Sequence, residues 1–253
     1  MQLQGNFLGS TLGPSCRPYI PADEEGCFLW LRSDLGITLN GFGATVQVWA
    51  NQGTAGSSFS QGTASQQPGY NATGINNWPS LSWSQAAKTW MGTTTITNAA
   101  SDYLAFFACT PTLTQAATGI WLMDDVTGRL IFTQANLASP NGRVAFFNNA
   151  SYQGNVLGTT GPQILTFELI SGGTTNANIY RNGTSIAASL NYNTQLKFGG
   201  APTSNIALGS SNLGGAGWFE GQLYEVIVLN KTGTDIRQRV EKYLGARYGI
   251  AVP

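Results

Sequence analysis

The chain has 253 residues, a length at which all-β sandwiches commonly form one domain. It carries 12 basic and 12 acidic residues, only 9 % charged in total, and no histidine. The scarcity of Glu and Lys argues against a helix-rich enzyme, the lack of a basic cluster argues against a nucleic-acid partner, and the missing imidazole removes the commonest general base and metal ligand.

Residues 1–26 read as an irregular arm, rich in Gly, Pro and Ser but also holding Leu3, Phe7, Leu8, Leu12, Tyr19 and Ile20. Their apolar content is too high for a solvating tail, so Phe7, Leu8 and Tyr19 are expected to face a partner, with packing of the arm on its own domain as the alternative. Cys16, Cys27 and Cys109 are odd in number and widely spaced, which predicts free thiols, with a small Cys16–Cys27 loop as the alternative. The N-terminus has neither the basic start nor the apolar run of a secretory signal, and no stretch is long and apolar enough to span a membrane.

The domain proper is expected over residues 27–253. Strands are predicted at 27–32 and 45–49, the second with clean apolar alternation around Val46 and Val48. A polar segment over 51–77, rich in Gly, Ser, Gln and Asn, reads as a long surface loop or short edge pieces, and a loop that long carries function or an interface. Further strands follow at 80–83, 102–110, 119–123, 129–133, 143–147, 163–170, 177–180, 185–190, 206–209 and 219–229. Gly, Asn, Pro or Ser punctuates nearly every gap, the pattern of a sandwich or barrel. Asn182-Gly183, between two alternating runs, predicts a two-residue hairpin turn with positive φ at both positions. One amphipathic helix closes the chain: Ile236, Val240, Leu244 and Tyr248 recur every fourth residue, with Thr234 or Asp235 as start cap and Gly249 as stop. The fold class is therefore all-β, a two-sheet antiparallel jelly-roll sandwich with one short C-terminal α-helix.

Several segments resemble the concanavalin A-like, laminin-G-like jelly rolls of phage and bacterial proteins. These are the opening Leu29-Trp30-Leu31-Arg32, the Val48-Trp49 strand with its polar turn, Gln67-Pro68-Gly69-Tyr70, Trp78-Pro79, the Tyr180–Gly183 hairpin, and the closing block from Phe219 to Val228 with Val240–Leu244 and Tyr248–Ile250. The resemblance runs from about Phe28 to Ile250. It implies binding of sugars or proteins more often than catalysis. Some members bind calcium through an aspartate, but Asn51 stands at that position here, which weakens a calcium site. No other cofactor is implied.

Residue chemistry points the same way. A glycosidase needs two carboxylates facing across the sugar. Asp124 and Asp125 are adjacent, so on a strand they would face opposite ways, and they read as turn residues before Gly128. With no histidine, Ser or Cys has no ordinary activator. Sugar recognition remains open through aromatic rings: Trp30 and Trp49 are expected in the core, while Trp78, Trp90 and Trp218 lie in polar surroundings and are candidate platforms. The expected role is a non-enzymatic phage virion surface protein, a capsid decoration or tail-associated component. Its expected partners are other virion proteins and further copies of itself. The alternative is a receptor adhesin for cell-surface glycan, and a hydrolase of the same fold is a weaker third.

Overall fold

The computed structural model describes residues 18–41, 43–96, 102–112, 120–125, 131–135, 143–148, 151–157, 160–170, 177–190, 204–210, 213–215 and 217–253. In chain order the strands begin with β1 (Cys27–Arg32), β2 (Ile37–Leu39), β3 (Val46–Trp49), β4 (Phe59–Ser60), β5 (Gly69–Ile75) and β6 (Trp78–Trp83). Next come β7 (Met91–Ile96), β8 (Tyr103–Pro111), β9 (Ile120–Asp125), β10 (Ile131–Ala135), β11 (Arg143–Asn148) and β12 (Ser151–Leu157). The last are β13 (Gln163–Leu169), β14 (Ala177–Arg181), β15 (Thr184–Leu190), β16 (Ser204–Leu208) and β17 (Gly221–Leu229), followed by the helix α1 (Thr234–Tyr248). One antiparallel sheet runs β15-β14-β13-β8-β17-β6-β5, and the other β12-β11-β10-β9-β16-β7-β4-β3-β2. The expected two-sheet sandwich with a closing helix is the observed architecture.

One edge of β17 is shared. Gly221–Leu223 pairs with Leu81–Trp83 of β6, and the rest of β17 pairs with β1. The two strands therefore abut end to end, joined by Ser33, whose hydroxyl donates to the Pro79 carbonyl at 2.6 Å and whose N–H donates to the Tyr224 carbonyl at 3.0 Å.

Alternation along the central strands builds two apolar layers. Tyr103, Ala105, Phe107 and Cys109 of β8 face the opposite sheet, with Phe167, Val226, Val228, Trp49 and Phe59 in the same cluster. Leu104, Phe106 and Ala108 face the other way and are covered by Val240, Leu244 and Tyr248 of α1, with Tyr19 and Ile20 at the margin. The first sheet is thus buried on both faces, which explains why β8 is apolar almost throughout and why every residue of β13, the polar Gln163, Thr166 and Glu168 included, is buried. The described part of the N-terminal segment, from Pro18 onward, lies against its own domain.

Two register shifts change the alternation. In β17 a shift between Leu223 and Glu225 leaves Tyr224 and Glu225, consecutive residues, both on the helix side. In β1 a shift after Cys27 leaves Phe28 and Leu29 both in the inter-sheet core while Trp30 turns toward the helix. A bulge re-aims side chains in this way without ending the strand.

The helix differs from expectation in one respect. Its cap is Gly233, with φ +144° and no side-chain hydrogen bond, because Thr234 is already helical. Its charges include a buried pair, Arg237 at 7 % exposed and Glu241 at 0 %, 2.6 Å apart, a detail that the spacing of the apolar stripe does not show. Gly249 stops the helix at φ +68° as expected. Asn182 and Gly183 take φ +49° and +79°, the predicted hairpin turn. Within the polar segment 51–77 the structure places β4 and β5. The latter is mostly exposed and so carries no apolar alternation to read. Asp124 and Asp125 are strand residues of β9, opposite Ala207 and Ile206, rather than turn residues. Cys27 and Cys109 are buried free thiols, each pushed up to about 12 by burial first of all. Cys16 lies outside the described residues, and among those residues no helix is long and apolar enough to cross a membrane.

Candidate functional site

A cleft of about 640 Å³ opens where α1 crosses the junction of β1 and β6. Trp78 enters it from the first position of β6. It is delivered there by a tight turn: Ile75 pairs with Trp78, and the two residues between, Asn76 and Asn77, have φ +47° and +61°. Asn76 also donates through Nδ2 to the Arg247 carbonyl at 2.9 Å, tying this turn to the last turn of the helix. From α1 come Arg239, Lys242, Tyr243, Ala246 and Arg247, spaced so that they share one face beside the buried stripe. Arg32, at the end of β1, and Pro18, Tyr19 and Ile20 complete the lining.

The rings are held in defined attitudes. The Arg247 guanidinium lies over the Trp78 ring, 3.5 Å from its centroid, and Tyr19 meets Tyr243 edge to face at 6.0 Å. Arg32 sits 5.3 Å from the centroid of Trp30 and grips Asp34 with two hydrogen bonds of 2.9 and 2.6 Å. Arg247 also reaches Asp34, at 2.7 Å. Burial works to raise the Asp34 carboxyl, but the hydrogen bonds and charges of Arg32 and Arg247 prevail and hold it below the usual carboxylate range.

Beneath this layer lies Glu225, 0 % exposed. Its carboxylate accepts from Trp30 Nε1 at 2.6 Å, from the Tyr248 hydroxyl at 2.8 Å and from the Tyr243 hydroxyl at 3.1 Å, with Arg247 Nε 3.5 Å away. Desolvation still dominates and raises its pKa despite those donors. Burial, then the neighbouring Glu225 charge, likewise pushes the Tyr243 hydroxyl above its ordinary value, so it stays a donor. A buried acid with this many donors fixes the positions of Trp30, Tyr243 and Arg247 from below.

The volume falls in the range of small-ligand sites, and the lining joins aromatic faces to charged hydrogen-bond donors. Among the described residues four basic ones line it and no Asp or Glu does. Among the described residues no group of three or more His, Cys, Asp or Glu is placed to hold a metal ion.

Of the residues singled out in the sequence, Trp78 and Tyr19 meet in this cleft. Asn51 lies elsewhere and is used by the backbone: its Oδ1 accepts from the N–H of Trp30 and of Gly53, each at 2.8 Å, and its Nδ2 donates to the Phe28 carbonyl at 3.2 Å. Trp90 packs against Gly92 and Gly214, and Trp218 lies under the Lys88 ammonium, 5.1 Å from the ring centroid. Phe7 and Leu8 lie outside the described residues. Arg32, Glu225, Tyr243 and Arg247 escaped the sequence reading. Glu225, a carboxylate in the otherwise apolar run Leu223 to Leu229, was the readable signal, and Asn76-Asn77 marked the turn before Trp78.

Searches by sequence match no protein-family model and no curated protein. Solved structures do share the architecture. Domain 4 of the GH43 extracellular arabinanase AbnA from Geobacillus stearothermophilus, solved with arabinotriose, aligns over 84 % of this chain and 97 % of its own, with 14 % identity and TM-score 0.53. A GH54 α-L-arabinofuranosidase aligns over 88 % of this chain and 60 % of its own, with 13 % identity and TM-score 0.57. The botulinum neurotoxin type G receptor binding domain aligns over 88 % and 52 %, with 11 % identity and TM-score 0.50. The chain thus spans little more than half the length of the latter two. At these identities the likeness is one of fold alone, a two-sheet β-sandwich of the jelly-roll type.

Proposed function

We propose that this chain is a non-catalytic glycan-binding domain whose site is the Trp78 cleft. The observation that carries the reading is the clustering of Trp78, Tyr19 and Tyr243 with guanidinium donors in one cleft of about 640 Å³. Sugar rings pack their C–H faces on aromatic rings, and their hydroxyls accept from Arg and Lys. Support comes from the sandwich fold shared with a domain solved with a bound arabinose oligosaccharide. Hydrolysis needs an acid and a second carboxylate flanking the bond, and among the described residues no carboxylate lines this cleft.

Titration calorimetry of the full chain against a panel of plant, bacterial and animal-type oligosaccharides tests it. Binding by the native protein and its loss, about tenfold or more, in Trp78→Ala is the expected result. Binding that survives Trp78→Ala unchanged puts the site elsewhere. Release of reducing ends from the panel, abolished by Asp124→Asn, replaces the reading with a hydrolase.

The setting we propose is a virion surface, where the domain would be held by protein contacts, with itself or other particle proteins, through the segment that begins at Met1. Purified particles that lack the chain would refute this setting while leaving the glycan site intact.

A further inference from the structure

Not every cation around the cleft serves the fold. Arg32 is paired with Asp34, Arg247 with Asp34 and Glu225, and Arg239 with Glu24, whose carboxylate accepts from Arg239 Nε and Nη2 at 2.9 and 2.8 Å. Lys242 has no such partner among the described residues. It is exposed, it lines the cleft on the same helix face as Tyr243 and Ala246, and no acid stands opposite it. The carboxylates that balance the arginines, Glu225, Asp34 and Glu24, are all absent from the lining, and Glu225 is fully buried. What a ligand meets is therefore an aromatic lining with three paired guanidinium groups and one cation without a described partner, Lys242. A neutral sugar would use the aromatic lining and leave Lys242 without a counter-charge. A sugar bearing a carboxylate would use both.

We infer that the Trp78 cleft selects acidic saccharides, oligosaccharides whose rings carry a carboxylate, with Lys242 supplying the charge that distinguishes them from neutral ones. The inference rests on the glycan-binding reading above. Arg247, immobilised on the Trp78 ring and by Asp34, presents a fixed guanidinium edge, whereas Lys242 is a free ammonium on a flexible stem that can follow the carboxylate. Uronic and sialic acids share this chemistry, and the experiment separates them.

The full chain is titrated with trigalacturonate and with 3′-sialyllactose, each beside its neutral counterpart, galactotriose and lactose. At least one acidic ligand is expected to bind about tenfold more tightly than its counterpart at about 50 mM NaCl, with the advantage shrinking at about 500 mM as screening shortens the reach of the charge. Lys242→Met, an exposed substitution whose fold is checked by thermal melt, is expected to cut that ratio to about threefold or less. The arm that responds names the acid. Equal affinity for acidic and neutral partners overturns the inference while sparing the glycan-binding reading, and so does a preference that survives Lys242→Met. Absence of binding to all four and to the wider panel fails the glycan-binding reading itself, whereas binding to neutral panel members alone overturns only the acidic preference.

Discussion

The guanidinium of Arg247 lies 3.5 Å from the centre of the Trp78 ring, although the two residues are 169 positions apart in the sequence. The same guanidinium pairs with Asp34 and Glu225, so one side chain links the start of β6, the end of β1, β17 and the helix. Removing it leaves two partly or wholly buried carboxylates without that cation. Arg247→Ala is expected to lower stability by about 3 kcal/mol. Arg247→Lys keeps the charge but not the flat stack or the fork, and should fall between. Urea midpoints read the order, and a Lys variant as stable as the native protein would show that the charge alone matters.

Leu244 is 0 % exposed in the layer between α1 and the first sheet. Leu244→Ala leaves a cavity there and should cost about 2–5 kcal/mol. A denaturant midpoint unchanged from the native value would mean that the helix does not hold to the sheet in solution.

Glu225 and Asp34 respond to pH in opposite senses. Burial raises Glu225, so the native state holds that proton more tightly than the unfolded chain. Stability from this group is therefore greatest at low pH and falls as pH rises from the ordinary carboxylate range through the raised value. Asp34 is held low by its two arginines, and its contribution is present above the ordinary range and lost as pH falls through its depressed value. Glu225→Gln should flatten the decline on the alkaline side and leave the acid loss in place. Urea midpoints measured from acid to neutral pH check this, and a Gln variant with the native pH profile would contradict it.

Gly183 holds φ +79° in the turn between β14 and β15, and a Cβ there would sit 2.9 Å from Val252 Cγ1. Gly183→Ala is expected to cost about 1–2 kcal/mol from the left-handed backbone alone, and more if the C-terminal residues cannot yield. Gly183→Asn, which tolerates that backbone better, should recover part of the loss in a thermal melt.

Much of the fold was legible because local rules and burial agreed. Cys27–Arg32 was placed residue for residue by its apolar run, the β14–β15 hairpin by Asn182-Gly183, and α1 by the spacing of Val240, Leu244 and Tyr248. Edge strands such as β5 were not, since an exposed strand hides no face and leaves no alternation. The bulges at Phe28 and Tyr224 were also invisible. Each shifts the alternation by one residue for a reason that lies in the neighbouring strand.

The site followed the same division. The sequence by itself determined an all-β sandwich with a docked helix, a chemistry without imidazole, and Trp78 and Tyr19 as residues of interest, because composition and period are properties of the chain. Only the tertiary structure decided that these two share a cleft, that Arg32 and Arg247 flank it, and that Glu225 is buried under it. Those contacts join residues far apart in the chain, 195 positions for Trp30 and Glu225 and 215 for Glu24 and Arg239. No local propensity acts over that distance. Sheet register and the helix crossing bring them together, and the cost of burying Glu225 is met by donors that only the assembled fold can gather.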